Sequence, residues 1–288
     1  MDRKIFETYD MSSRDSVATR FLYNSLPGRI LLRLIIRPVF SKFMGFLMDR
    51  MVSKILIPSF IKNNNICMDD YKNTKYKSFN DFFTREVTEG GRPISANVSD
   101  VIAPCNGKLT AYPITPDGAF QIKNTMYTIE GLLKNKTLAN EFTHGVCLIF
   151  RLTPADYHRY VYIDGGESLY RKKIKGVLHT VRPISQQRYK VFFQNAREYE
   201  VMQTEHFGKV IQVEVGALFV GRISNYETRR TFKRGDEKGM FEFGGSTIVM
   251  LFQKDMIRPY DIIFENTGQN KETIVKMGEK IGEKEVMK

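Results

Sequence analysis

From residue 101 onward the chain consists largely of short apolar segments rich in β-branched residues, and turn residues separate these segments. Within 209–215 the pattern has a period of two, with apolar residues at 211, 213 and 215 and a second face that carries Gln212 and Glu214. Such alternation is typical of a β-strand, because successive side chains of a strand point to opposite faces. The segments predicted as strands are 146–152, 209–216, 217–223 and 246–252.

The residues before this region favour helices instead. The predicted fold class is therefore α+β, with N-terminal amphipathic helices followed by a mostly antiparallel, β-rich domain. Residues 1–65 form the predicted helical segment, and the β-rich domain covers residues 78–288. Between them, the polar stretch 63–77 is predicted to be a linker.

A short helix is expected where the β-rich domain begins. Ser78 and Asp81 resemble a capping box, in which a serine side chain accepts a hydrogen bond from a backbone N–H group of the first helical turn. We expect the aromatic residues of this helix, Phe79, Phe82 and Phe83, to pack inward.

The most apolar stretch, residues 30–48, is nearly as long as a membrane span, but Arg33, Arg37 and Lys42 interrupt it and Pro38 breaks it. Each cation at the centre of a bilayer costs roughly 2.5–3.5 kcal/mol on insertion scales. A pair of amphipathic helices in the membrane interface, with basic side chains towards the lipid headgroups, fits this pattern better than a span. The alternative is a basic helix that packs on the core of the domain.

The chain carries 44 Lys and Arg residues against 32 Asp and Glu residues, which gives a formal net charge of +12. This excess favours an anionic partner, and the apolar N-terminal segment favours an anionic phospholipid membrane. Nucleic-acid binding is not expected, because the basic residues are spread along the chain without an aromatic-interleaved stripe or a recognition motif. The first residues lack the apolar core of a signal peptide, so we expect a reducing, cytoplasmic environment.

Three widely spaced cysteines, Cys67, Cys105 and Cys147, exclude a disulfide scaffold and a zinc site of the Cys-x-x-Cys type. The sequence also contains no nucleotide-binding loop of the GxxxxGKS or GxGxxG type. We therefore expect neither a metal nor a bound nucleotide.

His158 lies in the segment LTPADYHRY, between Asp156 and Arg159, at the exit of the predicted strand 146–152. Catalytic groups are often presented by the loops that follow strands, so His158 is a candidate catalytic residue. The alternative is a surface pair of Asp156 and Arg159 beside a partly buried imidazole ring.

Ser246 opens the predicted strand 246–252 and follows two glycines in the segment FEFGGSTIVMLF. Glycine permits backbone angles that are closed to other residues, so the peptide bond between Gly245 and Ser246 is a candidate for a strained bond. A serine hydroxyl at this position can reach the carbonyl group of the residue before it. A β-bulge or a tight turn is the structural alternative.

Taken in order along the chain, these segments and several others resemble the phosphatidylserine decarboxylase family. The similarity runs from about residue 20 to about residue 280, and the ordered set is specific although each motif alone is weak. The segments are FNDFFTRE (79–86), RPI (92–94), APCNGKL (103–109), LTPADYHRY (152–160) and GDEKGMFEFGGST (235–247).

The resemblance implies an enzyme that makes its own pyruvoyl group. In the family, the serine that matches Ser246 attacks the carbonyl carbon of the residue that matches Gly245, which here would divide the chain into fragments 1–245 and 246–288. The pyruvoyl group formed from Ser246 binds the substrate amine as a Schiff base and accepts electrons while carbon dioxide leaves. The histidine that matches His158 stabilises the carboxylate or returns a proton to the substrate.

The implied reaction converts phosphatidylserine to phosphatidylethanolamine. The resemblance also implies that the basic, apolar helices bind the enzyme peripherally to the cytoplasmic side of the cell membrane, so that the serine headgroup reaches the site. No metal is required by this chemistry. The sequence leaves open whether the chain forms a homodimer.

Two residues depart from the family pattern. Family members cleave themselves with an Asp–His–Ser relay, whereas the aspartate position here is Asn106 and the histidine position is Val161. Two other histidines, His158 and His179, are hypotheses for a substitute base. The alternatives to a working phosphatidylserine decarboxylase are an unprocessed, catalytically inactive family member that binds anionic lipid, and a decarboxylase of a soluble, amine-bearing acid.

Overall fold

The computed structural model describes residues 6–10, 16–72, 75–122, 125–186, 189–218, 222–226, 230–244 and 246–285, so Gly245 lies outside the described residues. The N-terminal third is helical, and strands dominate from residue 100 onward. The helices are α1 (Val17–Asn24), α2 (Leu26–Ile35), α3 (Pro38–Met48), a 3₁₀ helix (Met51–Leu56), α4 (Ile57–Asn63), α5 (Phe79–Phe83), α6 (Ile129–Leu133), α7 (Lys136–Asn140), α8 (Pro183–Gln186), α9 (Val191–Gln194) and α10 (Asp261–Gly268).

The strands pair in antiparallel ladders, which confirms the α+β prediction. Nine of them form one large sheet in the order β1-β16-β3-β6-β14-β10-β9-β8-β12, and smaller sheets include β11-β13-β7 and β15-β17-β2. The strands are β1 (Thr8–Asp10), β2 (Asp100–Ile102), β3 (Gly107–Pro113), β4 (Ala119–Ile122), β5 (Thr125–Thr128), β6 (Val146–Leu152), β7 (Arg159–Val161), β8 (Gly166–Ile174), β9 (Arg197–Thr204), β10 (Lys209–Val215), β11 (Ile223–Asn225), β12 (Thr231–Phe232), β13 (Glu237–Phe241), β14 (Ser246–Phe252), β15 (Ile257–Pro259), β16 (Lys271–Val275) and β17 (Lys280–Lys284).

Both faces of the large sheet are buried around β6 and β14. On one face Phe150 and Ile248 join a cluster that also contains Phe241 from β13. On the other face Ile149 and Val249 pack in a second cluster, together with residues of α6, α7 and α9. Because neither face meets solvent, these strands are apolar at almost every position, and each buried aliphatic side chain contributes roughly 1.5–3 kcal/mol to folding.

The apolar stretch 30–48 folds into the end of α2 and the whole of α3, and Pro38 is the first residue of α3. Proline is favoured at this position because the first N–H groups of a helix have no partner within the helix. The side chains of Ser16 and Ser25 cap α1 and α2 by accepting hydrogen bonds from backbone N–H groups. None of the helices in the described ranges has both the length and the apolar character needed to span a bilayer.

One side of the N-terminal helices packs on the β-rich domain. Tyr23 and Leu32 are buried in a cluster with Ile184, and the Leu178 N–H group donates a 2.8 Å hydrogen bond to the Ile36 carbonyl oxygen. The expectation that a basic helix packs on the core is therefore correct for this side of the helices.

The other side of the same helices is exposed and apolar. Its most exposed members are Val17, Val39, Val52 and Ile55, with Val52 82% exposed and Ile55 79% exposed. Residues 16–62 also carry eight basic residues against the single acidic residue Asp49. This surface keeps the composition expected of helices that lie in a membrane interface.

The capping box predicted at the start of the β-rich domain is confirmed. The Ser78 side chain accepts a hydrogen bond of 3.1 Å from the Asp81 N–H group at the start of α5. The three aromatic residues of this helix, Phe79, Phe82 and Phe83, are buried as expected.

The strand predicted at 217–223 is wrong over its first residues. The ladder of β10 ends at Val215, Ala217 and Leu218 lie in no strand, and residues 219–221 lie outside the described residues. Only Ile223 of this segment belongs to a strand, β11. Ala217 is apolar because it packs in the core cluster, not because it pairs within the sheet.

Part of the stretch predicted as a linker is attached to the β-rich domain. Tyr71 pairs with Val87, and the Lys72 N–H group donates a 2.9 Å hydrogen bond to the Glu86 carbonyl oxygen. Ile66 and Met68 pack against buried aromatic residues. These contacts were not predicted, because the segment is mostly polar and only a few of its apolar side chains pack against the domain.

Candidate active site

Ser246 is the first residue of β14, and its side chain is fully buried. It stands directly opposite Leu152 of β6. The hydroxyl oxygen forms no hydrogen bond with any residue that the structure describes. An unpaired buried polar group costs about 1–3 kcal/mol, and this hydroxyl is not engaged by any described residue, so it is open to react.

Gly244, two residues before Ser246, has an unusual backbone conformation. Gly244 has φ of 134°, a value that side-chain-bearing residues rarely adopt. Glycine at this position therefore allows a backbone conformation that another residue would resist. A bulge or turn at the glycines, the structural alternative raised by the sequence, is thus compatible with cleavage between Gly245 and Ser246.

A cavity of about 240 Å³ lies between the N-terminal helices and the end of the sheet where β14 begins. Tyr23 of α1 and Phe60 of α4 line it from the helices, and Leu152 and Gly244 line it from the sheet. Small-molecule sites are typically about 300–1,000 Å³. The cavity therefore suits a small headgroup rather than a whole lipid.

His158 lies in the loop between β6 and β7 and is completely buried. Its Nε2 atom is 3.1 Å from the Thr153 carbonyl oxygen, and its ring stacks on Phe83 with the ring centroids 4.1 Å apart. Because a carbonyl oxygen only accepts hydrogen bonds, Nε2 carries the proton and Nδ1 presents a lone pair. Nδ1 has no hydrogen-bond partner among the described residues.

Burial lowers the pKa of His158 to about 3, although the nearby Asp156 carboxylate acts in the opposite direction. The imidazole is therefore neutral at pH 7. A neutral imidazole does not hold an anion by charge. With its pKa lowered to about 3 it is a weak base, and once protonated it is a strong acid.

The surface pair of Asp156 and Arg159 considered from the sequence does not form. Asp156 accepts hydrogen bonds from the Thr153 N–H group at 2.6 Å and from Lys108 Nζ at 2.9 Å. Arg159 instead pairs with Glu237, with its Nη1 atom 2.8 Å from Oε1. Asp156 thus fixes the loop that carries His158, and Thr153, one of its partners, lines the cavity.

Comparison with known proteins shows which family the chain belongs to. The sequence model of the phosphatidylserine decarboxylase family matches residues 79–283, which include Ser246 and His158. The chain belongs to the phosphatidylserine decarboxylase family.

Curated relatives extend the similarity to the N-terminal helices. The chain is 48% identical over 283 residues to phosphatidylserine decarboxylase proenzyme 2 of Clostridium acetobutylicum, which covers 98% of this chain and 97% of the relative. It is 41% identical over 271 residues to a phosphatidylserine decarboxylase proenzyme of Clostridium novyi, covering 92% of each chain. A proenzyme of Clostridium botulinum (strain Eklund 17B / Type B) is 39% identical over 271 residues, also covering 92% of each chain.

The two positions that depart from the pattern of the phosphatidylserine decarboxylase family lie near each other. The Asn106 side-chain oxygen accepts hydrogen bonds from Arg92 Nε at 3.2 Å and from the Met277 N–H group at 2.9 Å. Val161 packs in the cluster that contains Met277. Asn106 directly precedes β3, and β6 lies between β3 and the strand of Ser246. Two strand spacings amount to about 10 Å, so Asn106 is not an immediate neighbour of Ser246.

His179 contacts Tyr23 of α1, which lines the cavity. Its Nδ1 atom is 3.3 Å from the Tyr23 hydroxyl, which also accepts a 3.0 Å hydrogen bond from the Thr180 N–H group. Burial lowers the pKa of His179 to about 4. Of the two histidines proposed as substitute bases, only His158 keeps an Nδ1 lone pair without a partner among the described residues.

Sequence reasoning missed two neighbours of the site, Tyr23 and Phe83, as contacts of its histidines. Tyr23 lies in a helix that the sequence assigned to a membrane surface, and no local pattern links it to His179, which is 156 positions away. Phe83 was expected only to pack inward. Such contacts depend on how distant elements dock.

A group of potential metal ligands lies elsewhere, at Asp164, Glu205 and His206. The Asp164 side chain accepts hydrogen bonds from the backbone N–H group of His206 at 2.8 Å and lies 2.9 Å from its Nδ1 atom. These residues do not line the cavity beside Ser246.

Proposed function

We propose that this chain is a phosphatidylserine decarboxylase that converts phosphatidylserine to phosphatidylethanolamine after cleaving itself between Gly245 and Ser246. The observation that carries the proposal is the buried, unpartnered Ser246 hydroxyl at the start of β14, beside a cavity of headgroup size. The names of the relatives, which are called proenzymes, support a precursor that is processed.

In the proposed maturation, Ser246 Oγ bonds to the carbonyl carbon of Gly245 while its proton is taken up by a base. The proton then passes to the Ser246 nitrogen as the amide bond breaks, which leaves an ester. Loss of the Ser246 Cα proton and cleavage of the Cβ–Oγ bond then release fragment 1–245 as a carboxylate and leave dehydroalanine. Its hydrolysis releases ammonia and leaves a pyruvoyl group at the start of fragment 246–288. The residues present fit this group, because the hydroxyl is not engaged elsewhere and the cavity adjoins it.

The pyruvoyl group supplies a carbonyl that binds the substrate amine and withdraws electrons while carbon dioxide leaves. We assign to His158 the transfer of a proton to and from the substrate. A charged group would hold the substrate carboxylate and oppose its loss, whereas the buried imidazole is neutral. The hydrogen bond to Thr153 and the stacking on Phe83 fix the orientation of the ring.

We further propose that the N-terminal helices bind an anionic phospholipid membrane peripherally, on its cytoplasmic side. Their exposed side is apolar and basic, and their buried side lines the cavity through Tyr23 and Phe60. A lipid headgroup at the membrane surface is thereby brought to the cavity, while its acyl chains remain in the bilayer. This arrangement favours a membrane lipid over a soluble amine-bearing acid as the substrate.

Replacing Val52 and Ile55 together with glutamate is expected to weaken binding to vesicles that contain phosphatidylserine by at least about tenfold. Insertion of each aliphatic side chain contributes roughly 1.5–3 kcal/mol, and 1.4 kcal/mol corresponds to a factor of ten. Cosedimentation with vesicles measures the effect. Val98→Glu, at an exposed valine outside the helices, is the matched control and should bind as the unchanged chain does. Equal binding by the double variant would contradict the proposed membrane surface.

The proposed function is tested by the intact mass of the purified chain together with an assay for carbon dioxide. We expect two polypeptides, 1–245 and 246–288, the smaller one with a blocked N-terminus, and release of carbon dioxide from phosphatidylserine. A single intact chain that binds vesicles but releases no carbon dioxide would establish the alternative, an inactive lipid-binding family member.

A further inference from the structure

The strand next to Ser246 carries a glutamate on the same face of the sheet. In the ladder between β14 and β10, Ile248 stands opposite Glu214. Side chains of residues two apart on a strand share a face, so Ser246 and Ile248 point to the same side as Glu214. Ser246 and Glu214 are therefore diagonal neighbours, for which the separation is about 7–8 Å between Cα atoms and somewhat less between Cβ atoms.

No other titratable side chain of the two flanking strands shares this face. The register places Leu148, Phe150 and Leu152 of β6 on it, all of them apolar. On β10 the same face carries Val210, Gln212 and Glu214. Continuing this ladder by one residue places Gly216 opposite Ser246, and the side chains of Leu178 and Ile223, both apolar, lie next to this glycine. A carboxylate is thus the nearest ionisable group that the flanking strands offer to the serine.

Glu214 is fully buried and held by three hydrogen bonds. Its Oε1 atom accepts from Lys238 Nζ at 2.8 Å and from Gln212 Nε2 at 3.0 Å, and its Oε2 atom accepts from Asn225 Nδ2 at 3.2 Å. The Lys238 ammonium also lies 3.2 Å from Glu200. Burial raises the pKa of Glu214, although Lys238 acts in the opposite direction. A carboxylate with a raised pKa is a stronger base than one in water.

We propose that Glu214 accepts the proton of the Ser246 hydroxyl during self-cleavage, in place of the histidine position occupied by Val161. This inference rests on the proposed function. As Ser246 Oγ bonds to the Gly245 carbonyl carbon, the Oγ–H bond breaks and the proton moves to the Glu214 carboxylate. The proton then goes to the Ser246 nitrogen as the C–N bond breaks, so Glu214 ends as a carboxylate and no external reactant is needed.

The test compares Glu214→Gln with Glu200→Gln in the full-length chain. Both glutamates are fully buried and contact Lys238, and both changes remove one negative charge from the same cluster. They differ in position, because Glu200 lies on β9, one strand further from Ser246 than β10. A structural role in the cluster predicts similar effects for the two changes, whereas proton transfer predicts an effect of Glu214 alone.

The readout is the rate at which a pulse-labelled, cell-free-synthesised chain divides into fragments 1–245 and 246–288 on a denaturing gel. We expect Glu214→Gln to slow this division by about 10²–10⁴-fold, the usual contribution of a general base. Glu200→Gln should divide at a rate close to that of the unchanged chain. Equal rates for Glu214→Gln and the unchanged chain would overturn the proposal.

A second variant guards against a folding defect. Glu214→Gln combined with Lys238→Met removes one charge of each sign, so no ammonium is left without its carboxylate, and Glu200 keeps its 3.0 Å pairing with Arg171. A folded double variant, shown by circular dichroism, should remain slow. Division of this variant at the unchanged rate would refute a role for Glu214. If the unchanged chain never divides, the proposed function itself fails. If the unchanged chain divides and the Glu214 variants divide equally fast, only the role of Glu214 fails.

Discussion

Ser246→Ala is expected to leave the chain undivided and to abolish the release of carbon dioxide from phosphatidylserine. The change removes the atom that attacks the Gly245 carbonyl carbon, and without it no ester forms whose elimination could lead to the pyruvoyl group. Folding should survive, because the Ser246 hydroxyl has no hydrogen bond to lose among the described residues. Intact mass and a carbon dioxide assay measure the two effects.

Thr247→Val provides a matched control for this change. The Thr247 hydroxyl is also buried without a partner among the described residues, but it belongs to the opposite face of β14. Valine has nearly the same shape as threonine, so only the hydroxyl is lost. This variant should divide and release carbon dioxide as the unchanged chain does. Activity that survives Ser246→Ala would refute the pyruvoyl mechanism.

His158→Gln is expected to divide normally but to release carbon dioxide about 10²–10⁴-fold more slowly per divided chain, the usual contribution of general acid–base catalysis. A glutamine amide can still donate to the Thr153 carbonyl oxygen, so the loop keeps its hydrogen bond. The lost function is the unpartnered Nδ1 lone pair of the buried ring. Mass spectrometry gives the divided fraction, and labelled carbon dioxide gives the turnover.

His206→Gln is the control for this second change, because His206 lies beside Asp164, away from the cavity. It should affect neither division nor turnover. An undivided His158→Gln chain would instead make His158 the base for Ser246, which is the substitute-base hypothesis raised by the sequence. Normal turnover by divided His158→Gln would remove His158 from the reaction altogether.

The strands of the core were predictable because burial on both faces requires apolar residues at nearly every position, and this run is visible in the sequence of each strand. The predicted segments 146–152 and 246–252 coincide with β6 and β14. Both are short, β-branched and apolar throughout, and such runs suit strands covered on both faces. The helix after Ser78 was predictable for a similar reason, since a capping side chain and its N–H partner are only three residues apart.

Prediction of strands from the local sequence pattern failed where an apolar residue is buried without pairing in a sheet. Ala217 and Leu218 line the cavity instead of extending β10, and composition does not separate these two ways of being buried. In the stretch 63–77, by contrast, residues of a polar segment do pair with the domain. Tyr71 and Lys72 join the domain through backbone pairing, which any residue type can provide.

By itself, the sequence determined the family, the fold class and the candidate residues Ser246 and His158, because these depend on residue types in a fixed order along the chain. Only the tertiary structure decided which groups surround Ser246. The pairing of β14 with β10 places Glu214 beside it, and the docking of α1 places Tyr23 on the cavity wall. Strand register and helix docking are set by packing between residues far apart in the chain, and no local pattern records that packing.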